Sequence, residues 1–184
     1  MSQESVQSEY LEKVVQVNRV SKKTKGGNKS SLSVLVVVGD QKGRVGVGLG
    51  KAADVQSAVR KATTYAKKHL ITVPLKDNRT IPHTISIKRG AAKILLRPAQ
   101  AGTGIIAGGA VRVVVEAAGI SDIVSKILGT SNKASNVYAA LEALKSLKTM
   151  KRMKSEKSED KQSFPSAEAE RRKTGKPEEK EEKE

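Results

Sequence analysis

The stretch RVSKKTKGGNKSSLSVLVVVGDQKGR, residues 19–44, decides the fold of the first half of this chain. It joins the basic end of one strand pattern to a second, strongly apolar strand pattern over residues 31–38. Five cationic side chains and no acidic one lie from Arg19 to Lys29, and a glycine pair occupies the turn. The stretch therefore predicts a stiff hairpin that carries positive charge outward.

Positive charge is concentrated around this hairpin. Residues 13–97 contain 19 Lys and Arg against three Asp, which gives a net charge of +16, the same value as for the whole 184-residue chain. Residues 1–12 are acidic, with three Glu and no Lys or Arg, and the remainder is close to neutral. Such a concentration favours a polyanion as the partner over a general role in solubility.

Side chains that perform catalysis or bind metals are scarce. The chain has no Cys, its acidic residues are scattered singly, and His69 and His83 occupy positions more typical of structural or RNA-adjacent residues. We therefore predict no catalytic residue, no metal site, no cofactor and no enzyme activity. The lack of Cys fits a reducing compartment, and no run approaches the ~18 apolar residues of a membrane span, so we expect a cytoplasmic protein without a membrane partner.

Two glycine-rich stretches come close to nucleotide-binding motifs. Residues 46–51 (GVGLGK) lack the GxxxxGK[ST] spacing of a P-loop. Residues 102–107 (GTGIIA) satisfy GxGxxA, and Asp122 lies 20 residues after Gly102, but the motif does not directly follow a strand. Nucleotide binding is therefore disfavoured at both stretches.

The first half of the chain predicts three strands and a helix. Strands are expected over residues 14–20, 31–38 and 44–50, and the third alternates Val or Leu with Gly, so that one of its faces has no side chains. Either a closely packed helix or a nucleic-acid backbone could approach that face. A helix capped by Asp54, with a basic stripe opposite its apolar face, and a short strand over residues 71–75 should follow.

The second half predicts a hairpin, a glycine-rich stretch and two further elements. Strands are expected over residues 83–88, 92–97 and 123–128, with a helix after residue 132. The Val-rich run before Gly119 has strand propensity, but Ala117, Ala118 and the terminating Gly119 favour a helix, which we predict here. We divide the chain into an acidic extension, a first domain, a second domain and a disordered charged tail, over residues 1–12, 13–76, 77–148 and 149–184 respectively.

Aromatic residues are too few for a surface that reads unpaired bases. With three Tyr, one Phe and no Trp, the chain is not expected to offer a stacking platform. Recognition should then depend on phosphates, 2′-hydroxyls and shape. If roughly six to ten phosphates are neutralised, affinity should fall about 10³- to 10⁵-fold between 50 and 200 mM salt.

Four blocks of the chain recur, in order and spacing, in one known family. They are VNRVSK at 17–22, KGG at 25–27, VVGDQKGRVGVGLGKA at 37–52 and GTGIIAGGAVR at 102–112. On these blocks the chain resembles the bacterial-type fifth protein of the small ribosomal subunit, from about residue 12 to residue 148. The resemblance implies an α+β fold: a domain like a double-stranded-RNA-binding fold, with three strands and a helix, then a two-layer α/β sandwich with a left-handed βαβ crossover. It also implies that residues 110–118 are helical.

The resemblance implies that the protein is a structural constituent of the small subunit that binds ribosomal RNA and supports assembly, decoding accuracy and messenger entry. The charge pattern and the resemblance together indicate a set of RNA-binding residues. These are Arg19, Ser21, Lys22, Lys23, Lys25, Gly26, Gly27, Lys29, Lys42, Arg44, Lys51, Arg60, Lys61, Lys67 and Lys68.

The resemblance also implies neighbours. Gly104 and Arg112 would face the fourth protein of the subunit, the eighth would be a further neighbour, and the third would share the messenger entry channel, so that messenger RNA is an indirect partner. Ser21, Lys22 and the glycine pair would lie by the site where spectinomycin acts. On the residues alone two other functions stay open: a free-standing double-stranded-RNA-binding regulator, which leaves the near-neutral second domain without a partner, and a nucleotide-dependent RNA-modifying enzyme.

Overall fold

The computed structural model of the protein describes residues 10–147. The predicted disordered tail and most of the predicted acidic extension lie outside these described residues. The described part contains two four-stranded sheets and three helices, so the predicted α+β class is confirmed. The elements are β1 (Leu11–Thr24), β2 (Gly27–Gly39), β3 (Arg44–Ala52), α1 (Val55–Lys68), β4 (Ile71–Thr72), β5 (Ile85–Arg89), β6 (Ala92–Pro98), β7 (Ile105–Ile106), α2 (Gly109–Ala118), β8 (Ile123–Ile127) and α3 (Lys133–Lys145).

The first sheet is antiparallel, in the order β1-β2-β3-β4. Its first three strands and α1 match the prediction, and the Asp54 side chain caps α1 by accepting a hydrogen bond from the Gln56 N–H at 3.1 Å. The predicted strand over residues 71–75 is shorter, because only Ile71 and Thr72 pair with β3. After them the Val73 N–H donates to the Gly43 carbonyl at 2.8 Å, which takes the chain off the edge of the sheet.

The bare glycine face of β3 packs against α1, which decides between the two alternatives that the sequence left open. A Cβ added to Gly46, Gly48 or Gly50 would overlap a backbone carbonyl of α1. The residues that supply those carbonyls, Ala58, Ala62 and Ala66, are fully buried. Small residues on both sides let the helix and the strand approach backbone to backbone, so this face is closed to a nucleic acid.

The second sheet is mixed, in the order β5-β6-β8-β7, with β7 parallel to β8 and α2 connecting them. The Val-rich segment before Gly119 is helical, as the resemblance implied. Gly119 ends α2 in the left-handed region at φ 82°, which glycine adopts without strain. The adjoining helix α3 begins at a cap formed by Asn132, whose side chain accepts from the Ala134 N–H at 3.0 Å.

The apolar part of β2 is buried on both faces of the first sheet. Val34, Val36 and Val38 of β2 pack against α1, whereas the alternate residues Leu35 and Val37 join a larger core with α2, α3 and the second sheet. The loop between β2 and β3 also touches α2, where the Gln41 and Gly43 N–H groups donate to the carbonyls of its last residues at 3.1 and 3.0 Å. The hydrophobic run of β2 is thus explained by burial on two sides.

Candidate nucleic-acid interface

The ends of β1 and β2 extend beyond the rest of the first sheet. Their pairing continues to Thr24 and Gly27, whereas β3 pairs with β2 only as far as Leu32. Residues 20–31, which we call the finger, therefore form a two-stranded ribbon without a third strand. At about 3.3 Å per residue it projects roughly 15 Å from the sheet, and residues 21–30 are all exposed.

Cations occupy both faces of the finger and its tip. Lys22 lies directly opposite Lys29, so both side chains leave from the same face. Lys23, paired with Asn28, lies on the other face, because successive residues of a strand alternate. Lys25 lies in the turn that joins the strands. The finger therefore presents positive charge in several directions, as suits a ribbon that enters a polyanion rather than lying flat on one.

The finger cations have no carboxylate partner among residues 10–147. The six ion pairs in this part of the protein all involve other cations. Like charges directly opposite one another destabilise an antiparallel pair. The Lys22–Lys29 pair thus costs folding stability in the isolated chain, and a bound polyanion would relieve that cost.

The outward side of α1 carries a second group of cations. Arg60, Lys61 and Lys68 are exposed and make no ion pair with the described residues. Lys67 differs, because its ammonium lies 2.9 Å from a carboxylate oxygen of Glu12, the last residue of the predicted acidic extension. Three of the four predicted α1 contacts are therefore available, and the fourth is partly neutralised.

The loop before β3 holds Lys42 and Arg44 in fixed positions. Asp40 Oδ1 accepts hydrogen bonds from their backbone N–H groups at 2.8 and 2.9 Å, and Asp40 Oδ2 lies 3.1 Å from Arg44 Nε. Burial acts to raise the pKa of Asp40, but these hydrogen bonds and the Arg44 charge together lower it. Lys42 and Lys51 are exposed without an ion pair within residues 10–147, whereas Arg44 already has one.

The glycine loop that contains Gly104 is held by Asp122. Asp122 is 3% exposed, and its Oδ1 accepts hydrogen bonds from the N–H groups of Gly102 and Gly104 at 3.1 and 2.9 Å. Arg79 Nη2 lies 3.1 Å from Oδ2, close enough for an ion pair. The Gly104 hydrogen bond is the main cause that lowers the pKa of Asp122, against the effect of burial. The Asp122 carboxylate therefore stabilises the glycine loop and faces Arg79, instead of binding the ribose hydroxyls of a dinucleotide.

Arg112 belongs to a three-residue charge cluster. Its Nε lies 2.9 Å from Glu116 Oε1, as the helical spacing predicts, and Lys13 Nζ lies 2.5 Å from Glu116 Oε2. The hydrogen bonds from Lys13 and Arg112 lower the pKa of Glu116. Since Lys13 is at the opposite end of β1 from the finger tip, about 35 Å along the strand, Arg112 and the finger belong to separate surfaces.

Two His residues take structural or surface roles. His69 ends α1 and stacks on Tyr65, with ring centroids 4.2 Å apart. His83 is half-buried, and its Nδ1 has no hydrogen-bond partner within the described part. The expectation that the chain lacks a stacking platform counted only Tyr and Phe, so it missed the Tyr65–His69 pair. The spacing of four residues on a helix was the signal that could have found it.

Two features are absent from the part of the chain that the structure describes. Within residues 10–147, no three His, Asp or Glu side chains lie close enough together to hold a metal ion. None of the three helices described here has the length and apolar character needed to cross a membrane.

Known protein families match nearly all of the described residues. Residues 10–74 match the family model described as ribosomal protein S5, N-terminal domain, and residues 87–157 match ribosomal protein S5, C-terminal domain. A protein of Thermosynechococcus vestitus named small ribosomal subunit protein uS5 is 53% identical over 137 residues, which cover 74% of this chain and 79% of that protein.

Two further relatives come from other lineages. A protein of the same name from Rhizobium etli is 52% identical over 142 residues, covering 77% of this chain and 75% of the relative. The small ribosomal subunit protein uS5c of Emiliania huxleyi is 54% identical over 134 residues, covering 73% of this chain and 84% of the relative.

Proposed function

Because the chain belongs to the ribosomal protein S5 family, we propose that it is a structural, non-enzymatic constituent of the small ribosomal subunit and binds its ribosomal RNA. The finger and the outward face of α1 are the RNA-binding surfaces. The observation that carries this proposal is the finger: a ribbon exposed over residues 21–30, with opposed lysines and no carboxylate partner in residues 10–147. Concentrated positive charge of this kind favours binding to a polyanion.

Within this proposal, the predicted RNA-binding residues contribute to different degrees. Finger residues penetrate the RNA, and Gly26 and Gly27 let the turn stay narrow, since Gly27 has φ 126°. Lys42 and Lys51 add contacts at the sheet, and Arg60, Lys61 and Lys68 extend them along α1. Arg44 and Lys67 contribute less, because each already has a carboxylate partner.

The finer roles are part of the same proposal. The Gly104 loop and Arg112, which lies far from the finger, meet the fourth protein of the subunit and thereby influence decoding accuracy. The eighth protein is a second neighbour, and with the third and fourth proteins the chain lines the messenger entry channel of a cytoplasmic ribosome. The separation of the two surfaces supports this division of RNA and protein contacts. We keep the division into domains 13–76 and 77–148 as part of this proposal; the first sheet ends at Thr72 and the second begins at Ile85.

Sedimentation tests the proposal. The double variant Lys22→Glu/Lys23→Glu should fold normally, because both side chains are exposed, but should associate poorly with 30S-sized particles in a cell extract. The matched control is Lys88→Glu/Lys93→Glu, which reverses two exposed lysines on the second sheet and should sediment like the wild type. If the wild-type protein stayed at the top of the gradient, a free-standing RNA-binding regulator would be the better explanation.

A further inference from the structure

An exposed aromatic stack lies among the cations of α1. Tyr65 is 49% exposed, and its ring is stacked on that of His69 at a centroid distance of 4.2 Å and an interplanar angle of 26°. Neither residue belongs to the buried face of α1, where Ala58, Ala62 and Ala66 meet the glycine face of β3. The stack therefore contributes little to the core, and its exposed surface is free to meet a partner.

Two parallel rows of side chains make this part of the helix a shallow groove. One row is formed by Arg60, Thr64 and Lys68, and the adjacent row by Lys61, Tyr65 and His69, each with a spacing close to one helical turn. The groove, lined by five of these six residues, has a volume of about 380 Å³. The exposed Tyr65 ring thus has Lys61 one turn before it in its own row, and Arg60 and Lys68 in the adjacent row.

The stack is ordered before any partner arrives. His69 Nδ1 lies 2.9 Å from the backbone carbonyl of Tyr65, and because a carbonyl can only accept, the Nδ1–H donates. This bond fixes the tautomer and sets the imidazole against the phenol ring. A ligand that stacks here pays less ordering entropy than it would on two mobile rings.

The chemistry of the groove selects its occupant. Arg60, Lys61 and Lys68 have no acidic partner in residues 10–147. Three neighbouring cations of this kind favour a ligand that carries several negative charges. The exposed ring face calls for a planar group that accepts π-stacking, with the cations beside it. A nucleotide of a single-stranded or bulged RNA segment offers both a flat base and flanking phosphates.

We propose that the Tyr65–His69 stack binds an unpaired nucleobase of the small-subunit ribosomal RNA while Arg60, Lys61 and Lys68 bind the flanking phosphates. This inference rests on the proposed RNA-binding function and deepens it, since it assigns α1 a contact to a base where the charge pattern alone implied only contacts to phosphates. The finger and α1 then bind RNA by different means: the finger by charge, and α1 by charge plus stacking.

The test measures the affinity of the purified full chain for full-length small-subunit ribosomal RNA over a range of salt concentrations. Tyr65→Leu should weaken binding roughly 5- to 150-fold, the range for loss of one stacked base, without changing the slope of log affinity against log salt. Tyr65→Phe keeps the ring and should bind within about twofold of the wild type. Lys61→Gln should instead reduce the slope by about one unit.

The outcomes separate this inference from the proposed function. If Tyr65→Leu binds RNA like the wild type while Lys22→Glu/Lys23→Glu binds weakly, the finger functions as proposed and the stacking site does not exist. If neither variant weakens binding, both proposals fail. A photoreactive side chain placed at residue 65 gives a second readout in isolated subunits: a crosslink to RNA supports the stacking site, and a crosslink only to a neighbouring protein overturns it.

Discussion

Single residues decide how closely the elements of this protein approach one another, and Gly48 is the clearest case. A Cβ at this position would overlap the carbonyl of Ala62 in α1, and backbone atoms cannot move aside as a flexible side chain can. Gly48→Ala should therefore lower the free energy of unfolding by about 1–3 kcal/mol or more. Gly26→Ala is the control, because a Cβ there meets nothing within 4 Å, and its effect should stay within about 0.5 kcal/mol. Urea unfolding of both variants measures the difference; equal stabilities would contradict the close contact between β3 and α1.

Asp122 makes stability depend on pH. Its pKa is lowered in the folded protein, chiefly by the Gly104 N–H. A carboxyl group with a lowered folded pKa stabilises the fold above its unfolded pKa, about 3.9, and that stability is lost as the pH falls through the folded value. Asp122→Asn keeps an oxygen for the two glycine N–H groups but loses the charge that faces Arg79. The stability advantage of the wild type over this variant should be present at pH 6 and shrink below about pH 4; a constant difference would assign the effect to packing instead.

At the level of elements, the opposed lysines of the finger should lower the stability of the isolated protein and increase its affinity for ribosomal RNA. Lys22→Glu converts a cross-strand pair of like charges with Lys29 into an attractive pair, so the isolated protein should gain about 0.2–1 kcal/mol. The same change should weaken binding to ribosomal RNA and reduce its salt dependence. Lys88→Glu provides the matched control, since Lys88 lies opposite Lys93 on an exposed hairpin. It should gain similar stability without loss of RNA affinity. Thermal unfolding and RNA titration of both variants check the two effects, and a loss of affinity in both variants would remove the special role of the finger.

Elements with strong local signals could be predicted from the sequence. The three long strands, α1 with its Asp54 cap, and α3 follow from periodicity, turn residues and caps. The helix over residues 109–118 had mixed local signals: its Val-rich run favours a strand, whereas Ala117, Ala118 and the terminating Gly119 favour a helix. Burial against the large core and the Gly119 cap decide for the helix, which the family resemblance also implied. The two-residue strands have little local signal: β4 was predicted but too long, and β7 was not predicted, since both exist only through pairing with β3 and β8.

The candidate sites show the same division between local and long-range information. The cationic tip was visible as a run of lysines around a glycine pair, and Arg112 with Glu116 as a helical pair four residues apart. Glu12 beside Lys67, Lys13 beside Glu116 and Asp122 beneath the glycine loop join residues that are 18 to 103 positions apart. Such partners follow from the tertiary fold, so the sequence predicted which charges exist but not which of them are neutralised.

On the scale of residues 10–147 as a whole, the exposed finger and the buried cores occupy different parts of the molecule. The apolar part of β2 is packed on both faces, against α1 on one side and in the large core shared with the second sheet on the other. The finger extends from that packed part without needing a core of its own. Nearly all the excess positive charge of the chain lies within residues 13–97, the part that contains the finger and α1. A well-packed support under a charged ribbon is what the proposed entry of the finger into RNA requires.

A cryo-electron microscopy map of small ribosomal subunits that contain this protein would show whether the finger enters RNA. We expect residues 20–31 to lie between RNA segments, with ammonium groups of Lys22, Lys25 and Lys29 within about 3 Å of phosphate oxygens. A finger that points into solvent, or that packs only against another protein, would contradict RNA binding by this ribbon.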